Sequence, residues 1–318
     1  MNLVVDDIVD SIGNVLLGKQ HQVKLALSCV LAQGHLLIED LPGMGKTTLA
    51  HSLAKVIGLS YERVQFTSDL LPGDILGVSI FDAKESEFHF HTGPIFTQVL
   101  LADEINRSTP KTQSALLEAM EERQVTVEGK TRTLPEPFFV IATQNPMSQA
   151  GTYPLPESQL DRFLMCISLG YPNPESERRL LAGEDPRQHI ALLKALMDAP
   201  RIMALQQQIS QINVSEPLLD YVQRLVAFTR QHERFVNGLS PRGAMALLKA
   251  ARAWALIHKR DYVLPDDVQA VLPDDVQAVL PSVVEHRVQG YGSARIHTSD
   301  DAESLSHFLI NSVEVVER

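Results

Sequence analysis

With 318 residues, 44% of them hydrophobic and 21% charged, the chain is long enough for two domains around real cores and has the composition of a soluble globular protein. A net charge of −11 argues against binding nucleic acid through the whole surface, while leaving room for a local basic patch. Two cysteines in apolar runs, Cys29 and Cys166, show no metal-ligand spacing; no disulfide framework, no signal peptide over residues 1–10 and no apolar run of ~20 residues are expected, so the setting should be cytoplasmic.

Ile8, Val9, Ile12 and Leu16 recur at helical spacing over 6–17, with Gly13 as a flaw. Gly18 and Lys19 break the run, and a second helix covers 20–32. Residues 35–38 read as a short buried strand. Pro42, Gly43 and Gly45 then turn the chain into a helix led by Lys46, Thr47 and Thr48. A strand follows over 61–66, then a hairpin of 78–81 and 87–91 with a hydrophobic face. His89 and His91 stand at strand spacing there, but nothing nearby in sequence supplies a third ligand, so metal is not expected. Residues 99–102 are a second buried strand ending in Asp103 and Glu104. A helix over 110–122 starts at Thr109 and Pro110, 125–134 forms a second hairpin, and 138–142 is a third buried strand ending near Asn145. One more apolar strand covers 164–169. Strands alternating with helices predict a parallel sheet.

Beyond Gly170 the strands stop. Pro172, Pro174 and Pro186 mark a linker, and only helices are expected after it, over 190–197, 201–211, 216–231, 241–258 and about 301–316. Two domains follow, 1–185 and 186–318. Within the second, eight residues, 263–270, recur as 271–278. Prolines at 265, 273 and 281 rule out one continuous helix, so the duplicate should form an extra turn at the surface.

The chemistry lies at the strand ends, where ligands of open α/β sheets bind. The loop Asp40-Leu41-Pro42-Gly43-Met44-Gly45 and the helix behind it aim backbone N–H groups at a polyphosphate. Lys46 adds a charge at the terminal phosphates and Thr47 a hydroxyl for Mg²⁺. Asp40 stands where the pattern G-x-x-x-x-G-K-[ST] has its first glycine, and brings a carboxylate near phosphate unless its side chain turns away. Asp103 would hold Mg²⁺ through water, and Glu104 would act as general base toward the attacking water. Asn145 could orient that water. Arg162 is either a charge that reaches a neighbouring subunit's γ-phosphate or a surface partner of Asp161 or Glu157. Arg242, behind Ser240 and Pro241, sits in a helix's first turn against the dipole, which points to an anionic partner such as the nucleotide.

These motifs, at 39–47, 65–74, 93–96, 101–107, 142–146, 151–157, 159–163 and 240–242, together resemble the MoxR family of AAA+ ATPases over about residues 5–290. The resemblance implies a P-loop α/β core with a five-stranded parallel sheet and helices on both faces, followed by an all-α lid. Lys46 and Thr47 resemble Walker A residues, Asp103 and Glu104 the Walker B pair, Asn145 sensor 1, Arg242 sensor 2 and Arg162 an arginine finger. Gly18 and Lys19 resemble the segment beside the adenine. ATP and Mg²⁺ are implied, as are a homo-oligomeric ring of hexameric form, a partner with a von Willebrand factor A domain, and client complexes that are remodelled, matured or loaded with metal. The hairpins at 78–91 and 125–134 resemble elements that face the ring's pore. The duplication departs from the family, which usually carries one such copy. Two rival readings are a nucleotide-dependent scaffold with little turnover, against which the intact Asp103-Glu104 pair speaks, and a DNA-acting motor, which the acidic charge disfavours.

Overall fold

The structure, a computed structural model, describes residues 2–145, 151–183, 186–263, 274–290 and 304–315. Two helices open the chain, α1 (Asn2–Gly13) and α2 (Gln20–Leu31), and their helical repeat buries Ile8, Ile12, Val23 and Leu27. Strands and helices then alternate: β1 (Leu36–Glu39), α3 (Lys46–Val56), β2 (Tyr61–Gln65), α4 (Pro72–Leu76), the hairpin β3 (Gly77–Asp82) and β4 (Glu87–Thr92), β5 (Val99–Asp103), α5 (Pro110–Glu122), the hairpin β6 (Gln124–Val127) and β7 (Lys130–Thr133), β8 (Phe139–Gln144), α6 (Glu157–Leu160) and β9 (Met165–Ile167).

Five of these strands form one parallel sheet in the order β2-β5-β8-β1-β9, as the alternation predicts. Successive residues point to opposite faces. Leu36, Ile38, Leu101 and Ile141 join a cluster with α1, α2 and α3, while Leu37, Leu100, Ala102 and Val140 join one with α5. Both faces are therefore covered, which is why these strands read as unbroken apolar runs. The carboxyl ends of β1, β5 and β8 lie side by side, and the segments that leave them carry the polar residues.

The strands do not stop at Gly170. After α7 (Pro174–Leu181), α8 (Pro186–Leu192), α9 (Ala199–Gln211) and α10 (Glu216–Gln231) comes β10 (Phe235–Asn237), and after α11 (Pro241–Ile257) and α12 (Asp274–Val284) comes β11 (Gln289–Gly290), which pairs with β10 antiparallel; α13 (Leu305–Ser312) follows. Nor is the stretch after Pro172 a bare linker. Pro174 occupies the first turn of α7, where its missing N–H costs nothing, and the Asn173 side chain accepts from Ser176 N at 2.8 Å. Proline here starts a helix instead of breaking one.

The expected surface turn of the duplication falls mostly on residues outside the described ones; the described part of the second copy, 274–278, is helical. It opens α12, which bears Pro281 within it and buries Val276, Val279, Leu280, Val283 and Val284 completely. Residues 264–273, the rest of the repeat, lie outside the described residues, as do Pro146 and the flanks of the last expected helix at 301–303 and 316. The helices after β9 share their hydrophobic cluster with α1, α2 and α3, so the core on that face continues past residue 185. Among the described residues no helix is long and apolar enough to cross a membrane.

The hairpin β3–β4 does carry apolar side chains, and it exposes them: Phe81 is 52% and Phe88 69% accessible. At its tip Asp82 and Glu85 bring ligand atoms close to His89, so a third group does exist there, from residues other than His91.

Candidate functional site

β1 delivers the chain to the loop at 40–45, and two glycines there adopt left-handed backbone angles, Gly43 at φ +88° and Gly45 at φ +92°. A side chain at either would be strained. The turn sends α3 off with its first amides facing the loop. Lys46 folds back and is 7% exposed; its Nζ donates to Asp40 O (2.6 Å), Gln144 O (3.2 Å) and Asn145 Oδ1 (2.8 Å). Burial lowers its pKa, and the carboxylates of Asp40, Asp103 and Glu104 oppose that shift.

Asp40 turns away from the loop's mouth. Its Oδ2 accepts from Leu169 N and Gly170 N, both at 2.7 Å, and from Ser168 Oγ, while Oδ1 accepts from Leu41 N. The carboxylate where a glycine was expected thus ties the segment after β9 to the phosphate loop, and it does not stand against a phosphate.

Asp103 ends β5 and is 6% exposed. Thr143 Oγ donates to its Oδ1 at 2.6 Å; Thr47 Oγ (3.3 Å) and Arg63 (Nη2, 2.6 Å) converge on Oδ2. A half-exposed guanidinium at Oδ2 marks an oxygen that attracts positive charge. Glu104, next along, holds φ at +57°, a costly angle for a residue with a side chain. Its carboxylate accepts from Asn145 Nδ2, Gln65 Nε2 and Arg107 Nη1, each at 2.9 Å. Asn145 therefore bridges Lys46 and Glu104.

A cavity of about 410 Å³ opens over this network, within the ~300–1,000 Å³ usual for small-molecule sites. Its lining joins the phosphate loop and the network, Pro42, Gly43, Met44, Gly45, Lys46, Thr47, Thr48, Asp103, Glu104 and Asn145, to Val15, Leu16, Leu17, Lys19, Pro172 and Leu180. The polar group suits phosphates and the apolar side chains a flat ring. Lys19 Nζ is tied to Tyr171 O at 2.6 Å. Gly18, Asp40 and Leu41 do not line the cavity. Gly18 instead packs on α7, where a Cβ would meet Ser176 Oγ at 2.9 Å.

Arg162 and Arg242 are absent from the cavity's wall as well, and they are together. Arg162 Nε meets Glu121 Oε2 at 3.0 Å, and Arg242 Nη2 meets Glu121 Oε1. Neither Asp161 nor Glu157 is the partner of Arg162; Asp161 belongs to Arg287. Sequence reasoning missed Arg63, Gln65, Thr143, Glu121 and Arg287. Arg63 and Gln65 had one usable signal, their alternate positions on the strand that pairs with β5. The other three become visible only in three dimensions.

Residues 35–165 match the ATPase family associated with various cellular activities (AAA), and residues 227–273 match the AAA lid domain. The chain is 49% identical over 261 residues to the uncharacterised protein YeaC of Bacillus subtilis, covering 82% of each chain. It is 42% identical over 265 residues to chaperone MoxR1 of Mycobacterium tuberculosis, covering 80% of this chain and 69% of that one. A solved structure of a protein from Cytophaga hutchinsonii assigned as an ATPase superposes with a TM-score of 0.83 at 34% identity, covering 99% of this chain and 95% of that one.

Proposed function

This chain belongs to the MoxR family of AAA+ ATPases, and on that footing we propose how it works. It hydrolyses ATP with Mg²⁺ as a cytoplasmic ring, a hexamer in our reading, and uses the energy to remodel, mature or load metal into client protein complexes together with a von Willebrand factor A domain partner. Residues 1–185 form the nucleotide core and 186–318 the lid.

The observation that carries the reading is the single hydrogen-bonded network at the strand ends. It joins Lys46, Asn145 and Glu104, and it sets Asp103 beside Thr47. The loop amides and Lys46 suit the phosphates, and Lys19 with its apolar neighbours suits the base. Thr47 and Asp103 are the residues that would hold Mg²⁺, a hard ion that prefers oxygen donors. When bound, the metal would neutralise charge on the phosphate oxygens. Glu104 takes a proton from the attacking water. Asn145 keeps the Glu104 carboxylate in line with the lysine at the phosphates, so base and phosphate charge stay in register.

Arg162 and Arg242 are carried outside the cavity of their own subunit and share one carboxylate. That supports delivery of Arg162 to the γ-phosphate bound by a neighbour, where charge grows in the transition state. Hydrolysis then requires assembly. The exposed aromatic hairpin β3–β4 supports client contact in the ring.

Replacing Glu104 by Gln tests the proposal. ATP binding should persist while turnover falls by about 10²–10⁴-fold, the span of a general base. Wild-type turnover in the variant would overturn the assignment. Held in ATP, the same variant should retain its client in a pulldown.

A further inference from the structure

Arg287 lies just past α12, and its side chain is 3% exposed. A guanidinium has five N–H donors in a rigid fork, and here all five are used. Nε donates to Asp161 Oδ1 at 2.7 Å. Nη2 donates to Asp161 O at 3.3 Å and to Phe163 O at 2.5 Å. Nη1 donates to Leu164 O at 3.1 Å and to Val283 O. Four of the five bonds therefore fall on residues 161–164, and the carbonyls on either side of Arg162 are both held. Arg162 itself is untouched. Its side chain leaves the grip and runs to Glu121.

The junction is packed from the lid side too. Ser240 Oγ reaches Asp161 Oδ2 at 3.4 Å, and Gly243, next to Arg242, leaves room for the arginine's stem: a Cβ there would come within 3.0 Å of Arg287 Cδ. Burying a cation with one carboxylate is expensive, and an apolar residue would fasten the same loop more cheaply. Lysine has three donors on a flexible stem and could not hold two consecutive turns of backbone at once. A fork spent on the backbone around one residue controls where that residue points.

We propose that Arg287 is the positioning residue for Arg162, setting from the lid the aim of the charge that one subunit presents to the next subunit's ATP. The inference rests on the reading of Arg162 as a finger that acts in the neighbouring site. Because Arg287 follows α12, a shift of that helix moves the segment 161–164 with it, and lid position and neighbour turnover become linked.

The experiment is complementation in co-expressed full-length chains. Arg287→Met keeps the apolar stem and loses the fork. Alone it should bind ATP normally and turn over about 10²-fold more slowly, the effect of misplacing a catalytic group by about 1 Å. Co-assembled with Glu104→Gln, which is inactive but keeps its own Arg162 and Arg287, it should regain turnover, because its own Glu104 is intact and its neighbour supplies a well-aimed arginine. A mere staple for the fold would spoil the variant's own pocket, and no turnover would return; that result, or wild-type turnover in Arg287→Met alone, overturns the inference. Arg162→Ala goes through the same pairing. Wild-type turnover in it removes the finger reading and this inference together, whereas loss and recovery in Arg162→Ala without recovery in Arg287→Met removes the inference alone. Should Arg287→Met fail to fold, Arg287→Lys, which keeps the charge and loses the fork, takes its place: slow turnover alone and recovery with Glu104→Gln are again expected, and the absence of either again overturns the inference.

Discussion

The nucleotide cavity and the arginine junction are both built of charged side chains, but they differ in how their charges are closed. In the cavity, Lys46 is satisfied by three oxygens of its own chain, Asp103 by Thr47, Thr143 and Arg63, and Glu104 by Asn145, Gln65 and Arg107. At the junction, Asp161 and Arg287 balance each other, while one carboxylate, Glu121, serves both Arg162 and Arg242. A surplus positive charge is left at a partly exposed surface, where an incoming anion is favoured. On the proposed reading, the cavity is complete within a chain as a binding site, and the junction serves the site of a neighbour. Loss of a tie that shapes the phosphate loop, such as Asp40, should therefore disturb folding, whereas loss of Arg162 at the junction should lower turnover alone.

Arg162→Ala should have the largest effect. Turnover should fall about 10³-fold, the low end of an arginine finger's contribution. ATP binding and urea-unfolding stability should stay near wild type, since a pair this exposed contributes little to folding. Loss of binding in step with turnover would place Arg162 in its own cavity and erase the distinction. The opposite case is Asp40→Ala, which strips two short bonds from the amides of Leu169 and Gly170. Each buried donor left unpaired costs about 1–3 kcal/mol, so urea unfolding should report a loss of about 3 kcal/mol. A variant of unchanged stability would show that the cavity's wall does not depend on this tie.

The smallest effect is on pH. His35, just before β1, is buried as a neutral ring: Nδ1 accepts from Val140 N, so Nε2 donates to Met120 O. Burial first, and then the nearby charges of Arg123 and Lys249, push its pKa down to about 4, against partial opposition from the Met120 bond. The unfolded chain takes up this proton near pH 6.5 and the folded chain only near 4, so stability is full above the first value and falls as pH drops through the window between them. From pH 7 to pH 5 the loss should be about 2 kcal/mol. An equal loss in His35→Leu would assign the slope to other groups.

What could be read in advance follows the same division. Lys46, Thr47, Asp103, Glu104 and Asn145 sit at strand ends or on the phosphate loop, and the local order of apolar run, turn and polar residue places them. The parallel sheet followed from the same runs, and its five strands from the family resemblance. Asp40 was legible as an anomaly, but its remedy lies 128–130 residues away in the chain. Glu121 looked like any acid at a helix end, and Arg287 like any basic residue, because their meaning arises only when α5, α11 and the segment after α12 meet at 161–164. Helices α7 and α12 were hidden by proline, which in α7 is a start signal and in α12 is tolerated because five buried aliphatic side chains hold the helix in place.

The proposed function sets one requirement on the two regions: the cavity needs a neighbour's arginine before it can hydrolyse ATP. It is tested most directly by measuring ATP turnover per subunit while protein concentration is raised through the range in which light scattering shows the chain assembling. Turnover should be close to nil for the free subunit, despite normal ATP binding, and should rise in step with assembly. Turnover per subunit that stays constant across that range would contradict the requirement.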